Sequence, residues 1–170
     1  MILRAWLTAI PLLALSFLYT TVQAAPPPSI PTHWTGEVIR VVDGDTIVVR
    51  LDGVKETIRI IGIDTPETVD PRKPVQAFGL EASAYTKKTP LGKSVRLEPD
   101  QGNAHIRHRD RYGRLLACGW IGKVLFNEKI IRDGYARAYT KYPFRSDYMA
   151  LFLRAETAAT EKGRELWGTK

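Results

Sequence analysis

Between Glu37 and Leu51 the chain reads EVIRVVDGDTIVVRL, and its apolar positions fall into two groups. Val38 with Val41 and Val42, then Ile47, Val48 and Val49, form β-branched runs that predict two strand segments. Asp43-Gly44-Asp45 interrupts them. Asp52-Gly53, a strong hairpin signal, joins a strand over 46–51 to another over 55–61. Folding about that turn is expected to bring Thr46 toward Gly62, with Asp45 and Asp64 at one end of the sheet. Phe78, Ala82, Tyr85 and Thr89 then recur at helical spacing, and Pro90 stops that helix. A strand is expected over 94–98, a polar loop over 100–112 and a further strand over 114–121. Helical spacing returns over 124–132, closed by Gly134 as C-cap. A short closing strand is expected within 135–139. The last helix covers 146–162, with Tyr148, Leu151, Phe152, Ala155 and Ala159 as its buried stripe. Five short strands with three helices predict an α+β, β-rich fold. An OB-type five-stranded barrel with three flanking helices is one closed solution, and such barrels commonly bind oligonucleotides.

The first residues follow a different pattern. Arg4 precedes an apolar run from Ala5 to Tyr19, and Val22-Gln23-Ala24 ends it with small residues suited to cleavage. We read residues 1–24 as a secretory signal peptide. An uncleaved membrane anchor is the rival reading, because the run is nearly long enough to span a bilayer. Residues 25–35 begin APPPSIP, a stiff Pro-rich leader, and residues 36–168 are expected to form one domain. The whole chain of 170 residues has room for one sizeable core. Its net charge is +7, which becomes +6 without Arg4. A basic balance favours a polyanionic partner, nucleic acid first and anionic membrane second. Cys118 is the single cysteine, so an intrachain disulfide is excluded. Its place in an apolar run predicts a small buried side chain rather than a nucleophile.

Candidate chemistry concentrates in Ile58–Glu67, IRIIGIDTPE. Arg59 lies on the opposite strand face from its Ile neighbours, and Asp64, Thr65 and Glu67 follow the break at Gly62. A cation on one face and oxygen donors at the strand end suit a phosphate handled with a metal ion. Oxygen-only donors favour calcium or magnesium over zinc. Each residue also has a plainer account. Asp43 and Asp45 can simply shape a turn, Asp64 can cap a loop, and Arg59 and Arg114 can pair with surface carboxylates. His105 and His108 sit in a basic loop without zinc-type spacing and are read as loop histidines.

VVDGDTIVV (41–49), IRIIGIDTPE (58–67), FGLEASAYTKK (78–88) and DRYGR (110–114) occur in one order. Together they resemble the staphylococcal nuclease, or thermonuclease, family over about Glu37–Trp167. The resemblance implies a calcium-dependent OB-fold endonuclease that hydrolyses DNA and RNA with weak sequence preference, giving 3′-phosphate ends. It implies that Asp45, Asp64 and the Thr65 carbonyl hold calcium, that Glu67 acts on the attacking water, and that Arg59 and Arg114 hold the scissile phosphate. Lys73, Tyr112, Tyr139 and Tyr142 match or neighbour substrate-binding positions, and Asp43 lies near the metal site. The chain departs from the family in a longer loop over 102–110, in Pro74 where Gly is usual, and in a shifted stacking tyrosine near Tyr139 and Tyr142. The expected protein is an exported monomer, periplasmic or secreted, with nucleic-acid substrates, no obligatory protein partner and no membrane association after signal cleavage. The alternative is a non-catalytic OB-fold module that binds nucleic acid or protein.

Overall fold

A computed structural model of the chain describes residues 32–66 and 76–168. The expected signal peptide and most of the Pro-rich leader lie outside the described residues. Strands β1 (Trp34–Val41), β2 (Thr46–Leu51) and β3 (Val54–Ile60) form an antiparallel meander, and β4 is the two-residue strand Ile63–Asp64. After α1 (Gly79–Lys88) come β5 (Ser94–Glu98), β6 (Leu115–Ile121) and β7 (Val124–Leu125). Helix α2 (Phe126–Arg132), β8 (Arg137–Ala138) and α3 (Ser146–Glu161) complete the main elements. The sheet order is β3-β2-β1-β5-β6-β7, and a parallel pairing of β3 with β6 joins its ends. This closes β1, β2, β3, β5 and β6 into the five-stranded barrel of the expected OB type, with helices outside it.

Closure rests on that parallel pairing, with Ile58 opposite Leu115 and Ile60 opposite Ala117. The expected closing strand within 135–139 instead forms β8, which pairs with β4 in a separate two-stranded sheet. The edges of β3 and β6 that it could have joined already pair with each other. Val38, Ile47, Val49, Ile58, Ile60, Val95 and Leu97 fill the interior. Each such side chain contributes about 1.5–3 kcal/mol of burial. At Gly36 a Cβ would lie 2.2 Å from the Arg50 carbonyl oxygen, so β1 can pass this close to β2 only with glycine there.

The helices largely follow their patterns. Helix α3 buries Tyr148, Phe152, Ala155 and Ala159, with Leu151 half-buried at the stripe's edge. After α2, Gly134 takes φ +91°. Its N–H donates to Ile131 O at 2.9 Å and the Tyr135 N–H to Ile130 O at 3.0 Å, a Schellman cap. Helix α2 begins two residues later than expected because Val124 and Leu125 pair with β6. Helix α1 buries Gly79, Ala82, Ser83 and Thr86 rather than the Phe78, Ala82, Tyr85, Thr89 stripe. Small residues face inward because the helix lies directly on the Asp43–Asp45 turn, where Thr86 Oγ1 donates to Gly44 O at 2.8 Å.

The expected loop over 100–112 contains a 3-10 helix, Gln101–Ile106, started by the Asp100 side chain accepting from the Gly102 N–H. His105, in that 3-10 helix, is exposed. His108 is only 2% exposed, its ring set edge-on to Trp34 at 6.0 Å. Cys118 is 2% exposed, and burial pushes its thiol pKa far up. Among the described residues no helix is long and apolar enough to cross a membrane.

Candidate active site

The β2–β3 hairpin positions the first half of the site. Asp52 and Gly53 both have positive φ, +47° and +83°, so the two-residue turn pairs Leu51 with Val54. That register sets Thr46 opposite Arg59, not near Gly62 as expected, because a two-residue turn leaves no slack. Thr46 and Arg59 therefore share one sheet face. The Ile60 N–H donates to Asp45 O at 2.9 Å and carries the pairing into the acidic turn.

The turn itself is built tightly. Val42 N–H donates to Thr46 O at 2.8 Å and Asp45 N–H to Asp43 Oδ1 at 3.2 Å. A Cβ at Gly44 would lie 2.7 Å from the Thr65 side chain. Glycine thus lets the turn and the segment after β4 touch, and the Thr65 N–H points at Asp45 Oδ2 at 3.4 Å. The shared end of the sheet expected for Asp45 and Asp64 is present, with both lining one cavity.

That cavity is about 330 Å³ and is lined by Asp43, Asp45, Arg59, Asp64, Thr65 and Arg114 among others. Asp45 is 8% exposed and Asp64 is exposed. Asp43 has its carboxyl pushed up to about 6, by burial first and then by the Asp45 charge. Arg59 faces Asp45 Oδ2 with Nη2 at 3.0 Å and also donates to the carbonyls of Ile63, at 2.9 Å, and Ile60. Arg114 donates from Nε to Asp110 Oδ2 at 2.7 Å and reaches Thr46 Oγ1 from Nη1 at 3.4 Å. Both guanidiniums are thus anchored on one side and border the cavity.

The donor chemistry fits a hard divalent cation. Every metal-binding atom facing the cavity is oxygen, and the Asp43 and Asp45 carboxylates on one turn, half-buried and buried, crowd negative charge. Among the described residues, no three acidic, histidine or cysteine side chains converge into a cage.

Other expected residues fall elsewhere. Glu67 and Lys73 lie outside the described residues. Tyr112 is 67% exposed, with the Arg111 and Arg114 guanidiniums 4.8 and 5.3 Å from its ring centre. Tyr139 and Tyr142 (65% exposed) meet edge-on at 6.0 Å and do not line the cavity. Sequence reasoning assigned no role to Asp110, Thr86 or Gln76. Asp110 was within reach, since it stands four residues before Arg114 inside DRYGR. Thr86 and Gln76 carry no local signal.

The family profile described as staphylococcal nuclease homologue matches residues 57–169. A protein named thermonuclease from Staphylococcus hyicus is 45% identical over 133 residues, 78% of this chain and 75% of that protein. The thermonuclease of Staphylococcus intermedius is 45% identical over 130 residues, covering 76% and 74%. The endonuclease YncB of Bacillus subtilis (strain 168) is 35% identical over 128 residues, 75% of this chain and 59% of that protein. With the barrel, the acidic turn and both arginines in place, the chain belongs to the staphylococcal nuclease homologue family.

Proposed function

We propose that this chain is a calcium-dependent endonuclease that hydrolyses phosphodiester bonds of DNA and RNA, leaving 3′-phosphate ends. Family membership supports the nuclease class. The observation that carries the reading is the joining of Asp45, Asp64, Thr65, Arg59 and Arg114 around one cavity of about 330 Å³.

Phosphodiester hydrolysis needs neutralised phosphate oxygens, an oriented water and a departing alkoxide. Asp45, Asp64 and the Thr65 carbonyl would hold calcium. When bound, calcium supplies a hard positive charge for a phosphate oxygen and for water. Arg59 and Arg114 donate planar N–H forks to the phosphate, and these bonds strengthen as charge develops on its oxygens. The Asp110 contact holds Arg114 in place before substrate arrives, so less ordering remains to be done. Glu67 is assigned to the attacking water on the family resemblance. Replacing Glu67 by Gln is expected to cut turnover by about 10²-fold or more; an unchanged kcat would remove Glu67 from the mechanism.

The proposed unit is residues 36–168, exported after cleavage behind Ala24 and active as a monomer. The test is cleavage of single- and double-stranded DNA and of RNA by the purified protein, with calcium, magnesium or chelator. Calcium-dependent cleavage leaving 3′-phosphate ends is expected. A folded protein that binds nucleic acid without cutting it in any metal would replace this reading with a binding module. N-terminal sequencing of exported protein should begin at Ala25.

A further inference from the structure

Beyond Ile60 the parallel ladder between β3 and β6 changes its partner. Ile58, Arg59 and Ile60 stand opposite Leu115, Leu116 and Ala117, and the Ile61 N–H still donates to Ala117 O at 3.1 Å. The next bond of a regular parallel ladder would run from the Gly119 N–H to Ile61 O. Asn127 takes its place. The Gly119 N–H donates to Asn127 Oδ1 at 2.9 Å, and Asn127 Nδ2 donates to Ile61 O at 2.7 Å. One side-chain amide thus stands where the two main chains would have met, using both its acceptor and its donor.

Local structure puts the amide there. Strand β7 turns back on β6 at Gly122, φ +58°, and pairs Leu125 with Trp120. Asn127, the second residue of α2, then comes level with Gly119 and is fully buried. On the other side of this wedge the chain bends at Gly62, φ +71°, where a Cβ would lie 2.6 Å from the Phe152 ring. The carbonyls through the bend all have donors. Ile60 O and Ile63 O accept from Arg59, Ile61 O from Asn127, and Gly62 O from the Tyr139 N–H at 2.9 Å. Strand β4 follows at once, sets Asp64 opposite Arg137, and leads into the cavity wall formed by Asp64 and Thr65 with Asp45. Asn127 itself does not line that cavity.

We propose that Asn127 is a positioning residue for the reaction: its amide holds the end of β3 off β6 and so sets where β4 presents Asp64 and Thr65 beside Asp45. The inference rests on the nuclease reading, since it needs a calcium ion held by those residues. A side chain that cannot bridge the two partners lets Gly119 and Ile61 bond directly or leaves one of them unpaired. Either result moves the link that precedes Asp64. Oxygen donors displaced from Asp45 hold a cation less tightly. Arg114, anchored on Asp110, keeps its place for the phosphate. The effect therefore falls on the cation before it falls on the strand.

The test compares wild type with Asn127→Ser, whose hydroxyl is too short to span both partners, and with Asn127→Asp, which keeps the acceptor and lacks the donor. Ile130→Val removes one buried methyl from the same helix, lowers stability and leaves both Asn127 bonds in place. Calcium Kd is read by titration calorimetry on the purified protein without nucleic acid. Both Asn127 variants should raise it about tenfold, whereas Ile130→Val should leave it within about twofold of wild type. At saturating calcium, KM for a DNA strand should stay within about twofold in all of them. An unchanged calcium Kd in a folded Asn127 variant would overturn the role, as would an equal rise in Ile130→Val. Loss of folding in both Asn127 variants would also overturn it, by making the amide a requirement of the barrel alone. A wild type that binds calcium with this dependence on Asn127 but never cuts would reject the nuclease reading and keep the positioning of the cation site. A wild type that cuts, with Kd unmoved by either substitution, would keep the nuclease reading and reject the positioning. A wild type that binds no calcium would reject this role together with the calcium reading.

Discussion

Asp110 uses one carboxylate for two tasks. Its Oδ1 accepts the N–H groups of Tyr112 and Arg114 at 2.9 and 3.0 Å, which shapes the turn before β6. Its Oδ2 takes Arg114 Nε at 2.7 Å and so aims the guanidinium. Asn can keep the first task through its amide oxygen but lacks the charge needed for the second. Asp110→Asn is therefore expected to lower kcat about tenfold with a melting temperature within a few degrees of wild type. Asp110→Ala should lose the turn as well, at a further cost of about 1–2 kcal/mol. Parallel kinetics and thermal melts separate the two tasks. Full kcat in Asp110→Asn would mean that Arg114 is positioned by its other contacts.

Contacts between elements explain what the chain pattern revealed and what it concealed. The hairpin at Asp52-Gly53 was legible because turn chemistry and β-branched runs are local, and its two-residue turn sets Thr46 against Arg59. Asp45, Asp64 and Arg59 were legible from the same strand and turn pattern, whereas Arg114 entered only through the family resemblance of DRYGR; all four line one cavity. The inward face of α1 was not legible. Its pattern favoured Phe78 and Tyr85, yet Thr86 is buried because the distant Gly44 carbonyl needs a donor there. Thr86→Val keeps the shape and leaves Gly44 O unpaired. It should cost about 1–3 kcal/mol in urea unfolding and raise the calcium concentration for half-maximal cleavage severalfold. Unchanged calcium dependence would show that α1 stabilises the barrel without tuning the turn.

The long segment between β5 and β6 is tied back by a different pair. Arg109 donates to both Glu56 oxygens, at 2.9 and 2.8 Å, and these hydrogen bonds hold the Glu56 carboxyl below its usual 4.5. A lowered folded pKa gives stability that is present above the unfolded value and lost as pH falls through the folded one. Arg109 is 40% exposed, so solvent screening limits the pair to about 1 kcal/mol or less. Unfolding free energies of wild type and Glu56→Gln should differ near neutral pH and converge as acid protonates Glu56. A gap that persists into strong acid would assign the difference to packing.

At the scale of the whole molecule, Cys118 offers a gauge that links metal, substrate and fold. It is the single thiol, on β6, in the strand that closes the barrel against β3. Burial raises its pKa, so the reactive thiolate forms only when the barrel opens. Labelling by an excess thiol reagent should therefore follow the population of open molecules, and its rate should rise with urea with the slope of global unfolding. Under the proposed function, calcium together with a non-hydrolysable dinucleotide would bind the closed form through the acidic turn before β2, Arg59 of β3, Asp64 of β4 and Arg114 in the turn before β6. At a free concentration 100 times Kd, labelling should slow about 100-fold, equivalent to about 2.7 kcal/mol. Chelator should restore the original rate. Labelling as fast as an unfolded thiol would mean that β6 opens without the barrel. Protection by dinucleotide alone, unchanged by chelator, would place substrate recognition in the arginines, independent of the acidic turn.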